Sequence, residues 1–179
     1  MTFATQLVIA RLVGVTSYGI YNYVFAWVTL LSYGSTLGYH VAVLRFVPAY
    51  EATNQFPLVL GFIHFGFKAC TAAAILIAIV AALIVAAPRN LDLELVTSML
   101  IGMATLPLIT IYLAGAGVAR AFGGVVSARL PERIVRDGLV LALLGLAALL
   151  TSWRLDATIV MWTLLMSSAV AVCITGVSV

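Results

Sequence analysis

The stretch ACTAAAILIAIVAALIVAA, residues 69–87, contains no charged residue, no glycine and no proline. An α-helix rises about 1.5 Å per residue, so a helix of this length matches a hydrocarbon core about 30 Å thick. His64 and Lys68 precede the stretch, and Pro88-Arg89-Asn90 follows it. The stretch therefore predicts a membrane-spanning helix, around which the rest of the chain is interpreted.

The composition of the whole chain points the same way. Of the 179 residues, 64% are apolar and 8% are charged, with a mean hydropathy of +1.20. A soluble domain carries about 25% charged residues. Six acidic residues cannot readily build a water-filled catalytic cleft, and so little charge disfavours a nucleic-acid-binding module or a disordered chain. We expect an all-α, polytopic membrane protein with no nucleic acid partner.

About six spans are expected in one transmembrane bundle over residues 1–179: 1–13 (partial), 20–40, 58–87, 95–119, 131–153 and 157–179. A turn is expected at residues 13–19 and a water-exposed connection at 45–55. Pro107 lies inside the fourth span, where its missing N–H predicts a kink or hinge. Because the first span is short and the last has no polar tail, we expect a piece of a longer protein.

The basic residues predict an orientation. One side of the predicted bundle collects six of them: Arg45, Lys68, Arg120, Arg129, Arg133 and Arg136. The other side collects three: Arg11, Arg89 and Arg154. Cytoplasmic loops are enriched in Lys and Arg, so the first side is expected to face the cytoplasm, with the N-terminus on that side of the inner (plasma) membrane. Rings near one end of the second span, at Tyr18, Tyr21, Tyr23 and Trp27, are typical of an interfacial aromatic belt.

Motifs for catalysis or metal binding are absent from the sequence: it has no phosphate-binding G-x-x-x-x-G-K-[ST], no H-E-x-x-H, no C-x-x-C and no G-x-S-x-G. His40 and His64 fall on different predicted spans, and Cys70 and Cys173 lie in apolar runs. Packing is the simpler interpretation of all four. We therefore expect no enzyme activity, no cofactor and no metal site.

The arginines carry more information. An arginine near a membrane edge commonly extends its charged end to lipid phosphates, which is the plainest interpretation here. Some could instead line a cavity and bind an anionic head group such as a pyrophosphate, through the planar guanidinium fork. Arg133 and Arg136 are three apart and share a helix face, but Glu132 and Asp137 could neutralise them.

Two segments resemble a known family. Ala10-Arg11-Leu12-Val13-Gly14 followed by Tyr18-Gly19-Ile20-Tyr21 is similar to the A-R-x-x-G-x-x-x-[YF]-G-x-[YF] signature that ends the first helix of polysaccharide flippases. Leu37-Gly38 and residues 44–51, LRFVPAYE, resemble the end of that family's second helix. The family includes the Wzx-type O-antigen translocases, in the superfamily of the MATE exporters and lipid II flippases. The resemblance is strongest over residues 8–51.

The resemblance implies two six-helix bundles around a cavity that opens alternately to either side, with this chain as the N-terminal bundle and a C-terminal bundle as its partner. It implies an oligosaccharide on a polyprenyl pyrophosphate as substrate, membrane lipids as surroundings and polysaccharide assembly enzymes as further partners. Arg11, and after it Arg45, are the implied pyrophosphate-binding residues. Arg120, Arg133 and Arg136 match no motif of the family and are candidates for the cytoplasmic mouth by position.

Three other functions stay open at this point. A MATE-type exporter of organic cations would favour acidic residues within its spans, and no Asp or Glu lies in the central part of any expected span. A membrane-embedded glycan polymerase or transferase subunit would favour carboxylates or histidines in long outer loops. A non-transporting scaffold of a polysaccharide assembly complex makes no such demand.

Overall fold

The computed structural model describes residues 3–87, 92–122, 137–150 and 156–178. Of these described residues 92% are helical, and none lies in a strand. The predicted all-α class is therefore confirmed for this part of the chain. The helices within it are α1 (Phe3–Val13), α2 (Val15–Ser35), α3 (Tyr39–Ala52), α4 (Phe56–Ala86), α5 (Leu93–Ala121), α6 (Asp137–Leu150) and α7 (Ala157–Ser178).

The first interruption of the helical chain is a single residue. Gly14 has φ 84° and ψ 165°, and its carbonyl accepts a hydrogen bond from Tyr18 N at 3.0 Å. A positive φ carries little penalty for glycine, so the chain changes direction there and enters α2 at once. The turn expected over residues 13–19 is thus confined to Gly14.

The second interruption divides the segment that was expected to run as one span over residues 20–40. α2 ends at Ser35, and Leu37 (φ 49°) and Gly38 (φ 74°) both adopt positive φ before α3 begins. The connection expected at residues 45–55 is mostly helical, because α3 continues to Ala52 through Pro48. Val43 and Val47, both fully buried, pack against α4 and α5 and stabilise this helix despite the proline.

Two of the described helices, α4 with 31 residues and α5 with 29, are long and apolar enough to cross a membrane. They correspond to the expected spans 58–87 and 95–119. In its most apolar 18-residue window α5 is 61% buried, whereas α4 is 11% buried. The two helices therefore differ in how much of their apolar surface the rest of the described chain covers. The six-span arrangement stays a prediction.

The central helix is α5, which packs against α2, α3, α4 and α7. Small residues allow the close approach. A Cβ at Gly102 would lie 2.7 Å from Val24 Cγ1, and one at Gly117 would lie 3.1 Å from His40 Cα. Glycine at these two positions therefore sets how near α2 and α3 come to α5.

Interhelical contacts show which ends of the helices coincide. The Cys70 thiol of α4 donates to the Thr36 carbonyl at 3.4 Å, and Gly117 of α5 lies against His40. The break between α2 and α3 is therefore level with Cys70 and Gly117. Arg45, Lys68 and Arg120 consequently lie towards one end of the bundle.

At the opposite end the start of α5 meets the start of α7. Glu94 Oε1 accepts a hydrogen bond from Ala157 N at 2.9 Å, and the Ser98 and Thr158 hydroxyls lie 3.5 Å apart one turn further in. A carboxylate at a helix N-terminus satisfies an otherwise free N–H and the positive end of the helix dipole. Asp92 and Asp156 lie at this same end.

The contact between Gly66 and Tyr39 gives a first prediction. A Cβ at Gly66 would overlap the ring of Tyr39, which is 7% exposed, so Gly66→Ala should lower the free energy of unfolding by about 1–3 kcal/mol. Gly61, on the same helix, has open space around its Cα. Gly61→Ala is the control and should be neutral or stabilising by up to about 1 kcal/mol. The measurement is denaturation in mild detergent followed by circular dichroism. Equal effects of the two substitutions would contradict the packing of α3 on α4.

The cap at the start of α7 gives a second prediction. Glu94→Ala should destabilise the protein by about 1 kcal/mol, because the Ala157 N–H loses its acceptor. Asp92, two residues earlier, makes no side-chain capping bond to α5 and provides the control. Thermal denaturation of the two variants should show the larger loss for Glu94→Ala. A loss for Asp92→Ala as large as that for Glu94→Ala would show that general charge, and not the cap, is responsible.

Candidate functional site

Arg11 lies in the last turn of α1. Ile9, fully buried, and Val13, 9% exposed, face the core, whereas Arg11 is exposed on the opposite side of the helix. Within the described part of the chain no ion pair holds its guanidinium. The break at Gly14 follows three residues later, so the Arg and Gly of the flippase-like segment stand together at one helix junction.

Arg45 lies in the middle of α3 and is also exposed. The residues around it pack into an aromatic cluster between α3 and α4, formed by Tyr39, Phe46, Tyr50, Phe62 and Phe67. Ring centroids in the cluster are as close as 5.5 Å, between Phe46 and Phe62. The second flippase-like segment therefore serves partly to pack α3 on α4.

Arg11 and Arg45 are not brought together. Arg11 precedes the start of α2, and Arg45 follows its end, and the 21 residues of α2 separate them by about 30 Å. They cannot contact one pyrophosphate at the same time in this structure. A role for both would need the ligand to meet them in succession.

The other candidate residues are placed differently. Arg120 is partly buried near the end of α5, and its Nε donates to the Ala116 carbonyl at 3.0 Å, so part of its hydrogen-bonding capacity satisfies the helix end. Arg133 and Arg136 lie outside the described residues. α5 runs without interruption through Pro107.

Polar groups at the break between α2 and α3 are paired with one another. The Thr36 hydroxyl donates to the Tyr33 carbonyl at 2.7 Å and lies 3.0 Å from His40 Nδ1, and the Tyr33 and His40 rings meet edge to face at 6.0 Å. His40 therefore has a structural role on both sides of the break. Ser32 differs: its Oγ is buried without a hydrogen-bond partner among the described residues. It lies one turn after Val28, on the side of α2 that packs against α5.

An apolar slot runs between α2, α4 and α5 and has a volume of about 480 Å³. Each helix contributes a stripe at helical spacing. The lining residues are Tyr23, Trp27 and Leu31 of α2, Ala81, Ile84 and Val85 of α4, and Leu95, Met99 and Met103 of α5. None of the basic residues predicted to bind substrate belongs to it. The slot can hold a hydrocarbon chain, but it offers no partner for a charged group.

This slot was missed in the sequence, although a signal for it exists. Tyr23, Trp27 and Leu31 recur at i, i+4 and i+8, as do Leu95, Met99 and Met103, so each set shares one helix face. The sequence pattern instead predicts one interfacial belt for Tyr18, Tyr21, Tyr23 and Trp27. That assignment is wrong for Tyr21, which is fully buried in the core. Which faces of three helices meet is a tertiary property that no single helix pattern contains.

Among the described residues, no group of three or more His, Cys, Asp or Glu side chains lies together in a way that could hold a metal ion. Comparison with known proteins adds nothing to this picture, because no protein family, curated protein sequence or solved structure matches the chain. The function is therefore inferred from the residues of the chain and their placement.

Proposed function

We propose that this chain is the helix bundle of a membrane transporter that moves polyprenyl-pyrophosphate-linked oligosaccharide from the cytoplasmic to the outer leaflet of the plasma membrane. The observation that carries the proposal is Arg11, an exposed guanidinium without an ion pair in the described part of the chain, next to the Gly14 break of the flippase-like segment. The reaction makes and breaks no covalent bond. The protein lowers the barrier to passage of a charged head group.

The exposed apolar surface of α4 supports a membrane location. Leu76, Leu83 and Ile84 are each at least 63% exposed, and other aliphatic side chains of α4 are exposed as well. Hydrocarbon solvates this surface without penalty, whereas water does not. A lipid-linked substrate would reach such a bundle by diffusion within the bilayer.

The positions of the two arginines support two successive binding positions for the pyrophosphate, one at each end of the bundle. By the excess of basic residues, the end with Arg45, Lys68 and Arg120 is the cytoplasmic one. Arg45 would meet the pyrophosphate there, and Arg11 would meet it at the outer end. Arginine suits both binding positions because its planar guanidinium donates two parallel hydrogen bonds to phosphate oxygens. A second helix bundle would complete the cavity, and enzymes of polysaccharide assembly would supply and consume the lipid-linked glycan.

The proposed orientation can be tested by labelling. Thr53, between α3 and α4, and Asp92, before α5, are both exposed and lie at opposite ends of the bundle. In a Cys173→Ala background with the buried Cys70 retained, Asp92→Cys should react with a membrane-impermeant maleimide on intact spheroplasts. Thr53→Cys should react only after permeabilisation. The reverse pattern would overturn the orientation, and equal labelling of both would overturn the membrane-spanning arrangement.

Transport can be tested with this chain together with the second helix bundle that the proposal requires, in liposomes that contain a fluorescent polyprenyl-pyrophosphate oligosaccharide. The protein should accelerate the appearance of the probe in the opposite leaflet, and Arg11→Ala should slow this at least about tenfold, because a hydrogen bond to a charged group is worth about 1.5–3 kcal/mol. Arg11→Lys, which keeps the charge but not the fork, should lie in between. Lys68→Ala is the control for general lipid anchoring, since Lys68 is an exposed cation on α4.

The alternatives give different results in the same vesicles. Full activity of Arg11→Ala would remove Arg11 from the proposed site. Uptake of organic cations against a proton or sodium gradient, without movement of the lipid probe, would instead assign the protein to the drug exporters. Absence of both activities would overturn the transport proposal.

A further inference from the structure

The helix α3 crosses α4 and does not run alongside it. Three rings of α3 meet the ring of Phe62 on α4, with centroids 5.6, 5.5 and 6.4 Å away: those of Tyr39, Phe46 and Tyr50. From Tyr39 to Tyr50 the helix rises about 16 Å. Two helices side by side would distribute such contacts over a similar length of α4, whereas here the ring contacts extend only from Phe62 to Phe67. The axis of α3 is therefore oblique to that of α4.

The break before α3 permits this direction. Because Leu37 and Gly38 both have positive φ, the chain turns between the end of α2 and Tyr39. With 14 residues α3 is about 21 Å long, too short to cross a hydrocarbon core about 30 Å thick. A short helix that lies obliquely across a spanning helix, towards one end of the bundle, has the placement of a segment at the lipid head groups.

Both faces of α3 are apolar. Tyr39, Val43 and Val47 are buried against α4 and α5. On the opposite face the described part of the chain leaves three side chains uncovered, which we call the exposed stripe: Val41, 60% exposed, Leu44, 40% exposed, and Pro48. Their spacing of three and four residues places them on one side of the helix. Hydrocarbon solvates such a side better than water does.

The charges around the exposed stripe favour an anionic surface. Arg45 follows Leu44 and is exposed beside the stripe, and no ion pair holds its guanidinium within the described residues. The acidic residue of α3, Glu51, lies about 120° around the helix axis from Arg45. Two more cations, Lys68 and Arg120, lie at this end of the bundle, whereas three carboxylates lie at the opposite end: Asp92, Glu94 and Asp156.

We propose that α3 is an interfacial helix on the cytoplasmic leaflet, with the exposed stripe against the acyl chains nearest the head groups and the Arg45 guanidinium bound to the phosphate of an anionic phospholipid. An interfacial helix buries its apolar face about 5–10 Å into this boundary, and the long apolar stem of arginine lets the charged group reach back to phosphate. The membrane location rests on the proposed function, to which the inference adds a resident lipid partner at Arg45.

Quenching by lipids of known head group measures this contact. In a Cys173→Ala background with the buried Cys70 retained, Val41→Cys is labelled with bimane, and the full chain is reconstituted in phosphatidylcholine nanodiscs. Phosphatidylglycerol or phosphatidylcholine, each with a doxyl group near the top of one acyl chain, is then included. Phosphatidylglycerol should reach the same quenching at a mole fraction about fivefold lower, the factor that one basic residue contributes near an anionic leaflet.

Variants of Arg45 identify the cation responsible. Arg45→Ala should abolish the preference for phosphatidylglycerol and leave quenching by phosphatidylcholine unchanged. Arg45→Lys should retain part of the preference, because it keeps the charge without the planar guanidinium. The control label is at Leu76→Cys, an exposed position further along α4, with the doxyl group placed deeper in the chain. Both lipids should quench this label equally.

Four results would overturn the inference. Quenching of the Val41→Cys label by aqueous iodide, but by neither lipid, would place the exposed stripe in water. Protection from iodide and from both lipids would show that protein covers the stripe, either a second helix bundle or a second copy of the chain. Equal quenching by the two lipids would remove the anionic head group from the inference. A preference that Arg45→Ala leaves intact would remove Arg45 from it.

Failure of the proposed function gives different results. If neither lipid quenches the label at Leu76→Cys, the membrane-spanning arrangement is wrong, and the docking of α3 is wrong with it. If both labels behave as expected and the liposome assay shows no transport, α3 is still an interfacial helix with an anionic lipid at Arg45, in a membrane protein with another function.

Discussion

The structure depends on one constraint: the most apolar part of α4 has a surface that water solvates poorly. Within its most apolar window only 11% is buried by the rest of the described chain, so its side chains need an apolar environment from elsewhere. A bilayer supplies this environment and also requires that backbone hydrogen bonds be satisfied within the helix. The exposure of leucine and isoleucine along α4, which would promote aggregation in water, is the expected surface of a protein in lipid.

With apolar side chains both inside and outside, burial alone cannot decide how the helices associate, so shape does. Gly66, Gly102 and Gly117 are the points at which Tyr39, Val24 and His40 approach their neighbours closely. Polar contacts add specificity at two levels of the bundle, midway along α4 through Thr36 with Cys70 and at the start of α5 through Glu94 with Ala157. A few close glycine contacts and hydrogen bonds therefore fix how the helices align. Apolar packing without such specificity holds the rest of the bundle together.

How far the sequence predicts this arrangement differs from element to element. Residues 69–87 predict α4 well, because nineteen uncharged residues leave few alternatives. Residues 36–55 were predicted poorly, since charge and Pro48 suggest a connection whereas tertiary packing of Val43 and Val47 maintains a helix. The length of α2 sets the distance between Arg11 and Arg45, whereas the motifs that contain them give no information about that distance. The slot arises from three stripes whose mutual contact no linear pattern encodes.

The length of α4 has a consequence for where the bundle can reside. Its 31 residues extend about 46 Å, whereas the hydrocarbon core of a bilayer is about 30 Å thick, and in the proposed membrane setting Lys68 would mark the point beyond which the helix leaves that core. Residues 56–67, with the aromatic cluster around them, would then lie at head-group level. A thicker membrane would have to draw Lys68 into hydrocarbon or thin around the bundle, while a thinner one would force α4 to tilt. In the proposed membrane setting, the length of α4 would thus give the bundle a preference for bilayer thickness that is independent of any substrate.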